Sequence, residues 1–307
     1  MKEKIIINIE LLKRKKDAII LAHYYTNEEI QKIADFTGDS LALAQYAQKT
    51  KAKIIVFAGV FFMAETAKIL NPTKKVLIPD FDAGCSLSDS CPADDFEKFI
   101  KQYDNHTVIT YINSSTEVKM LSDIICTSSN AAKIVESLPK EAKIIFAPDK
   151  NLGSYINNIT GRNMVLWNGS CHVHNQLNIE EIIYLKKKYP KAKVIAHPEC
   201  KDVILQLADF VGSTSAMLNY TIKDSSNEYI VATESGILYQ MKLNSPNKIF
   251  HIVSAEKNCN CNDCPYMKMN TLEKIYDCLN NESNELIMNE NEIKEAYKPL
   301  KRMLDLS

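Results

Sequence analysis

The stretch Ala34-Asp-Phe-Thr-Gly-Asp-Ser40 recurs as Ser122-Asp-Ile-Ile-Cys-Thr-Ser128 and again as Ala208-Asp-Phe-Val-Gly-Ser-Thr214, at spacings of 88 and 86 residues. A fixed spacing that carries many positions at once marks an internal repeat. The same offsets lay His23 over Tyr111 and His197, and Tyr25 over Asn113 and Glu199, each at or just beyond the end of an apolar run. Those runs are Ala18 to Ala22, Lys53 to Ala58 and Lys75 to Ile78 in the first third. The middle third has Thr107 to Ile112, Asp123 to Cys126, Lys143 to Ala147 and Asn163 to Trp167; the last has Lys193 to Ala196, Asp209 to Val211, Glu228 to Ala232 and Lys248 to Val253. They alternate with helix-period segments, which predicts parallel strands joined by crossover helices. The expected fold is therefore α/β: three similar parallel-sheet units about a pseudo-threefold axis, over residues 1–88, 89–174 and 175–307. The last unit ends in a charged helical tail, Thr271 to Ser307, expected to pack on the surface and take no part in chemistry.

Composition narrows the function classes. Thirty-seven basic residues balance 38 acidic ones over 307 positions, and no basic block extends beyond short lysine runs, so a nucleic-acid partner is not expected. The longest strongly apolar run, Ile54 to Ala64, has 11 residues, too short to span a bilayer. No secretory pattern follows the N-terminal lysines, so a cytoplasmic location is expected. Nine cysteines are many for a reducing compartment, and an odd number fits a disulfide framework poorly; they point to metal or catalysis. Neither G-x-G-x-x-G nor G-x-x-x-x-G-K occurs, so dinucleotide and P-loop readings lose their main support.

Parallel α/β units place ligands at the carboxyl ends of their strands, so three units around one axis aim equivalent loops at a single cavity. His23, Tyr111 and His197 form one expected layer there, and Tyr25, Asn113 and Glu199 another. Each unit adds a cysteine after its last strand: Cys85, Cys171 and one of the group Cys259, Cys261 and Cys264. Three thiolates leave a metal centre with an open position, either zinc or an iron–sulfur cluster. Cys126 and Cys278 read as buried small hydrophobes, with Cys91 and Cys200 undecided. Ser40, Ser128, Ser213 and Thr214 stand where strand gives way to helix. Capping is the ordinary role of each alone, but three on one repeat register near two histidines favour a polyanionic ligand. Glu199 is a candidate general acid/base, and His23 and His197 can bind substrate or carry protons.

The motifs Ala22-His-Tyr-Tyr25, Gly38-Asp-Ser40, Gly84-Cys-Ser-Leu87, Tyr111-Ile-Asn113, Thr127-Ser-Ser-Asn130, His197-Pro-Glu199, Gly212-Ser-Thr214 and Cys264-Pro-Tyr-Met-Lys-Met-Asn270 span nearly the whole chain. In these the sequence resembles quinolinate synthase. That resemblance implies condensation of iminoaspartate with dihydroxyacetone phosphate to quinolinate, phosphate and water for NAD biosynthesis. It also implies a [4Fe-4S] cluster on Cys85, Cys171 and Cys264 whose open iron is a Lewis acid. Glu199 and Tyr25, with His23 beside them, are the implied proton-transfer residues. His23, Ser40, Tyr111, Asn113, Ser128, His197, Glu199, Ser213 and Thr214 are the implied substrate-binding set. Many members carry C-x-x-C-x-x-C near the end. This chain has C-x-C-x-x-C, so a pairing of Cys259 with Cys261 is not carried over. Functional coupling with an L-aspartate oxidase or an aspartate dehydrogenase follows from the same resemblance. The rival readings are a zinc-dependent hydrolase or lyase on the same cysteines, and a metal- and phosphate-binding sensor module.

Overall fold

The computed structural model describes residues 2–255 and 262–307; Cys259 and Cys261 lie outside them. Among the described residues, twelve strands form three four-stranded parallel sheets. The first sheet holds β1 (Ala18–His23), β2 (Phe36–Gly38), β3 (Ile54–Ala58) and β4 (Lys75–Leu77). The second holds β5 (His106–Tyr111), β6 (Ile124–Cys126), β7 (Lys143–Ala147) and β8 (Val165–Leu166). The third holds β9 (Lys193–Ala196), β10 (Phe210–Val211), β11 (Glu228–Ala232) and β12 (Ile249–Ile252). The orders β2-β1-β3-β4, β6-β5-β7-β8 and β10-β9-β11-β12 are identical, as the repeat requires. The expected runs coincide with all strands except β2, where Thr37 and Gly38 interrupt the apolar signal.

The aspartate at the second position of each repeated stretch has a structural task. Asp35 Oδ2 accepts the backbone N–H of Ile20, Asp123 Oδ2 that of Val108 and Asp209 Oδ2 that of Val194, at 2.7, 2.8 and 2.7 Å. In return the backbone N–H of each aspartate donates to the carbonyl of the same partner. The short edge strand is thus clamped to the first strand at its entry, which sets the pairing His23↔Gly38 and Tyr111↔Cys126 at its exit. The glycines at the ends of these strands answer a different need: a Cβ on Gly38 or Gly212 would come within 3.0 Å of Ala42 or 2.9 Å of Ala216 on the following helix.

Alternation along β1 sends side chains to two cores. Leu21 joins a central apolar cluster that also takes in Ile109 and Ile195, from the equivalent strands of the other two units. Ile20 and Ala22 face an outer cluster with Ile9, Leu272 and Ile275.

The tail departs from its expected surface role. Its helix Glu290–Asp305, opened by a capping box between Asn289 and Glu292, packs on β6 and on the helices Phe61–Leu70 and Thr116–Met120. Ala296, Leu300 and Met303 are fully buried. Their i, i+4, i+7 spacing is one apolar face, hidden in the sequence by the charges on the other. Beyond it, Ser307 Oγ meets Asn130 Nδ2 at 2.7 Å, and Asn130 Oδ1 holds the backbone of Thr127, so the tail braces a loop of the central cavity. No helix among the described residues is long and apolar enough to cross a membrane.

Because Leu300 fills the seam between the first two units, Leu300→Ala is expected to cost about 2–5 kcal/mol. The exposed Leu243→Ala is expected to stay within about 0.5 kcal/mol. Denaturant unfolding of the two variants beside the parent checks both.

Candidate active site and metal centre

One cavity lies where the three units meet. His23, Tyr25, Ser40, Cys85, Tyr111, Asn113, Ser128, Cys171, His197, Glu199, Thr214 and Cys264 all line it. Ser213 does not. Its hydroxyl caps the helix Thr214–Lys223 by accepting from Ala216 N and pairs with Ser129 Oγ at 2.8 Å. Asp39 likewise caps the helix Ser40–Lys49. Ser40 and Thr214 are therefore first residues of their helices, with hydroxyls spared from capping, and both helix starts present backbone N–H groups and a positive dipole end to the cavity. The middle unit differs, since its helix Ala131–Glu136 starts later, after Asn130. Ser128 sits in the loop before it.

The two histidines share one local device. Nδ1 of His23 accepts the N–H of Tyr25 at 3.2 Å, and Nδ1 of His197 that of Glu199 at 3.4 Å. Each Nε2 is then left as the N–H of a neutral ring. Burial keeps them neutral, lowering His23 to about 4 and His197 to about 3.

A buried chain of hydrogen bonds joins Tyr25 to Glu199 through two residues that sequence reasoning passed over. Tyr25 Oη lies 2.9 Å from Thr214 Oγ1 and 2.8 Å from Thr233 Oγ1. Thr233 Oγ1 is 2.9 Å from His174 Nε2, and His174 Nδ1 is 2.7 Å from Glu199 Oε2. The carboxylate–imidazole–hydroxyl order fixes the tautomer: Nδ1–H donates to Glu199 and Nε2 accepts from the threonine. Burial pushes the Glu199 carboxyl up, but the N–H donated by His174 and, less strongly, Tyr111 pull it below the usual range, so it is ionised. Its Oε1 has no partner of normal hydrogen-bond geometry, nor does Asn113 Oδ1, and both are buried. The clue to His174 was its place three residues after Cys171. Thr233 carried no signal, because it becomes relevant only where the third unit meets the first.

The three cysteines are alike in setting. Cys85, Cys171 and Cys264 each occupy the N-cap position of a short helix, without a cap hydrogen bond of normal geometry. All are free and partly exposed, whereas Cys91, Cys126, Cys200 and Cys278 are free and buried in apolar packing. Burial raises the Cys85 thiol to about 12, Cys264 to about 11 and Cys171 well above its ordinary value. Opposing this, backbone N–H groups of Leu87 and Ser88, of His174, and of Tyr266 and Met267 face the three sulfurs. A soft cation that displaces the thiol protons fits such a set. The sulfurs do not all fall within 4.8 Å of one another, while Cys171, His174 and Glu199 offer ligand atoms that do.

The family model described as quinolinate synthetase A protein matches residues 7–305. The chain belongs to this family. Relatives in the quinolinate synthetase A family include "Quinolinate synthase" of Microcystis aeruginosa, 56% identical over 299 residues, covering 97% of this chain and 94% of the relative. "Quinolinate synthase" of Chloroherpeton thalassium is 56% identical over 300 residues, covering 97% and 93%. Among solved structures, the E-1-hydroxy-2-methyl-but-2-enyl-4-diphosphate reductase from Plasmodium falciparum aligns at TM-score 0.32 and 11% identity, over 91% of this chain and 94% of that one. The chain is an enzyme of the quinolinate synthetase A family, and membership sets the sensor reading aside.

The neutral histidines carry a pH signature. Unfolded, both rings take up a proton near pH 6.5; folded, they resist until about 4 and 3. The unfolded state binds more protons between those values, so stability is fully present above pH 6.5 and is lost as the pH falls from there towards 4. His197→Gln is expected to flatten the fall of the thermal midpoint between pH 7 and 4.5, measured by circular dichroism beside the parent.

Proposed function

We propose that this enzyme condenses iminoaspartate with dihydroxyacetone phosphate, releasing phosphate and two waters, to form quinolinate for NAD biosynthesis. The observation that carries the reading is the convergence, in one cavity, of three cysteines at helix N-cap positions and a buried hydrogen-bond chain from Glu199 to Tyr25.

Cys85, Cys171 and Cys264 would hold a [4Fe-4S] cluster, which when bound supplies a Lewis-acidic iron free of protein ligands. The helix starts at Ser40 and Thr214 bind the phosphate and carboxylates of the substrates, with Ser128 and Tyr111 completing the pocket. The outward Nε2–H groups of His23 and His197 donate to carboxylate oxygens. Asn113 Oδ1, buried and unpaired, accepts from a substrate nitrogen. Glu199 takes a proton from carbon through Oε1, which has no protein partner of normal hydrogen-bond geometry. His174 and Thr233 pass protons between Glu199 and Tyr25, whose hydroxyl serves the departing oxygen. Iminoaspartate comes from an enzyme that oxidises aspartate, an L-aspartate oxidase or an aspartate dehydrogenase. A reducing, cytoplasmic setting accords with the free cysteines.

A second reading is favoured by one observation: Cys171, His174 and Glu199 could hold a single zinc ion, as in a hydrolase or lyase. It leaves Cys85 and Cys264 without a task. Metal and sulfide analysis of anaerobically purified protein decides between the two. The cluster reading expects about four irons per chain with equivalent sulfide, lost in Cys171→Ala. Stoichiometric zinc without iron overturns it.

Glu199→Gln separates the readings again. It is expected to keep the parent's iron content and to lower quinolinate formation at least about 100-fold, whereas a zinc site that uses Glu199 would lose metal.

A further inference from the structure

The third strand of each unit ends on an alanine, Ala58, Ala147 or Ala232, and two positions later come Val60, Asp149 and Glu234. Asp149 and Glu234 are both fully buried. Each uses one carboxylate oxygen on its own loop and the other on a cysteine. Asp149 Oδ1 accepts from Leu152 N at 2.8 Å, while Oδ2 accepts from the backbone N–H of Cys171 at 3.1 Å. Glu234 Oε2 accepts from Gly236 N at 2.6 Å, while Oε1 accepts from the backbone N–H of Cys264 at 3.0 Å. Two units thus place an acid at the same register and spend it on the same atom of the equivalent cysteine.

We propose that Asp149 and Glu234 are positioning residues that anchor the Cys171 and Cys264 loops for the cofactor. The inference rests on the cluster reading above. The first unit has Val60 at this register, and its loop is tied without a buried acid, by Phe61 N to Ala83 O at 2.7 Å and by Ser86 Oγ to His172 Nδ1 at 2.6 Å. Glu234 does more than Asp149. Its Oε1 also pairs with Lys268 Nζ at 2.8 Å, and Lys268 donates to the carbonyl of Tyr25 at 2.8 Å. One buried acid therefore holds a cysteine loop and, through one lysine, the backbone of Tyr25. The close fit is enforced at Gly236, where a Cβ would stand 2.8 Å from Tyr25 Cα. A carboxylate suits this task because it accepts two N–H groups at once, one from its own loop and one from the loop that carries the ligand.

The test is the rate at which anaerobically purified holo-protein loses iron to a chelator, followed by visible absorbance, with the electron paramagnetic resonance of the reduced cluster as second readout. Asp149→Ser keeps a helix cap but cannot also reach Cys171 N; Glu234→Asp keeps the carboxyl group but is one methylene too short for Cys264 N. Both are expected to lose iron about tenfold faster or more and to shift the resonance. Leu300→Ala, which weakens the fold without touching a cysteine loop, is expected to release iron at the parent's rate with an unchanged resonance. Parent-like release in both acid variants, or equally fast release in Leu300→Ala, overturns the assignment. If one acid variant fails to fold by circular dichroism, the other decides alone. A parent without iron removes the cluster reading, and this inference with it; a parent with iron whose variants hold it equally well removes only the roles of Asp149 and Glu234.

Discussion

Three carboxylates, Asp35, Asp123 and Asp209, each receive the backbone N–H of a residue on the neighbouring strand, and the rest of the molecule depends on where they put that strand. An edge strand of two or three residues has too few ladder hydrogen bonds to define its own register. The clamp supplies that definition at the entry to the pair, so the exit of the first strand is placed as well. Three residues beyond each clamped N–H come His23, Tyr111 and His197, at the common cavity. A slip of one residue would turn each of these outward. Register, set at one end by an ion-to-backbone hydrogen bond, becomes the position of a functional side chain at the other.

Burial then decides what those side chains are chemically. Removal from water keeps His23 and His197 neutral and would keep any isolated carboxyl neutral too. Glu199 escapes only because His174 donates to it from one side while His197 and Tyr111 stand near. The same low-dielectric setting makes three free thiols costly to ionise, and the backbone N–H groups at three helix starts only partly offset that.

The threefold plan is not kept uniformly, and the departures have physical causes. The middle unit starts its helix late, at Ala131, and its Thr127–Ser129 loop is braced by Asn130, which the tail steadies through Ser307. The tail helix reaches that place because Ala296, Leu300 and Met303 fill the seam between the first two units. A valine stands in the first unit where the others have a buried acid, so its cysteine loop is tied instead by Phe61 N to Ala83 O and by Ser86 to His172.

The sequence by itself determined the repeat, the α/β class and most of the cavity lining, because each is written in local patterns: apolar runs, polar residues in a fixed register, and cysteines after the last strand of each unit. Ser213 shows the limit of that logic. The family resemblance put it beside Thr214 in the binding set, but its hydroxyl goes to the helix cap, the ordinary role of a serine at that place, and to Ser129. Only the tertiary structure decided which partners meet across units. His174 and Thr233 connect Glu199 to Tyr25 only because the second and third units close on the first, and Asp149 and Glu234 meet the cysteines across separations of 22 and 30 residues. Contacts between distant segments leave no periodic trace in a single chain; they follow from the packing of three sheets around one axis, where the distance along the sequence no longer counts.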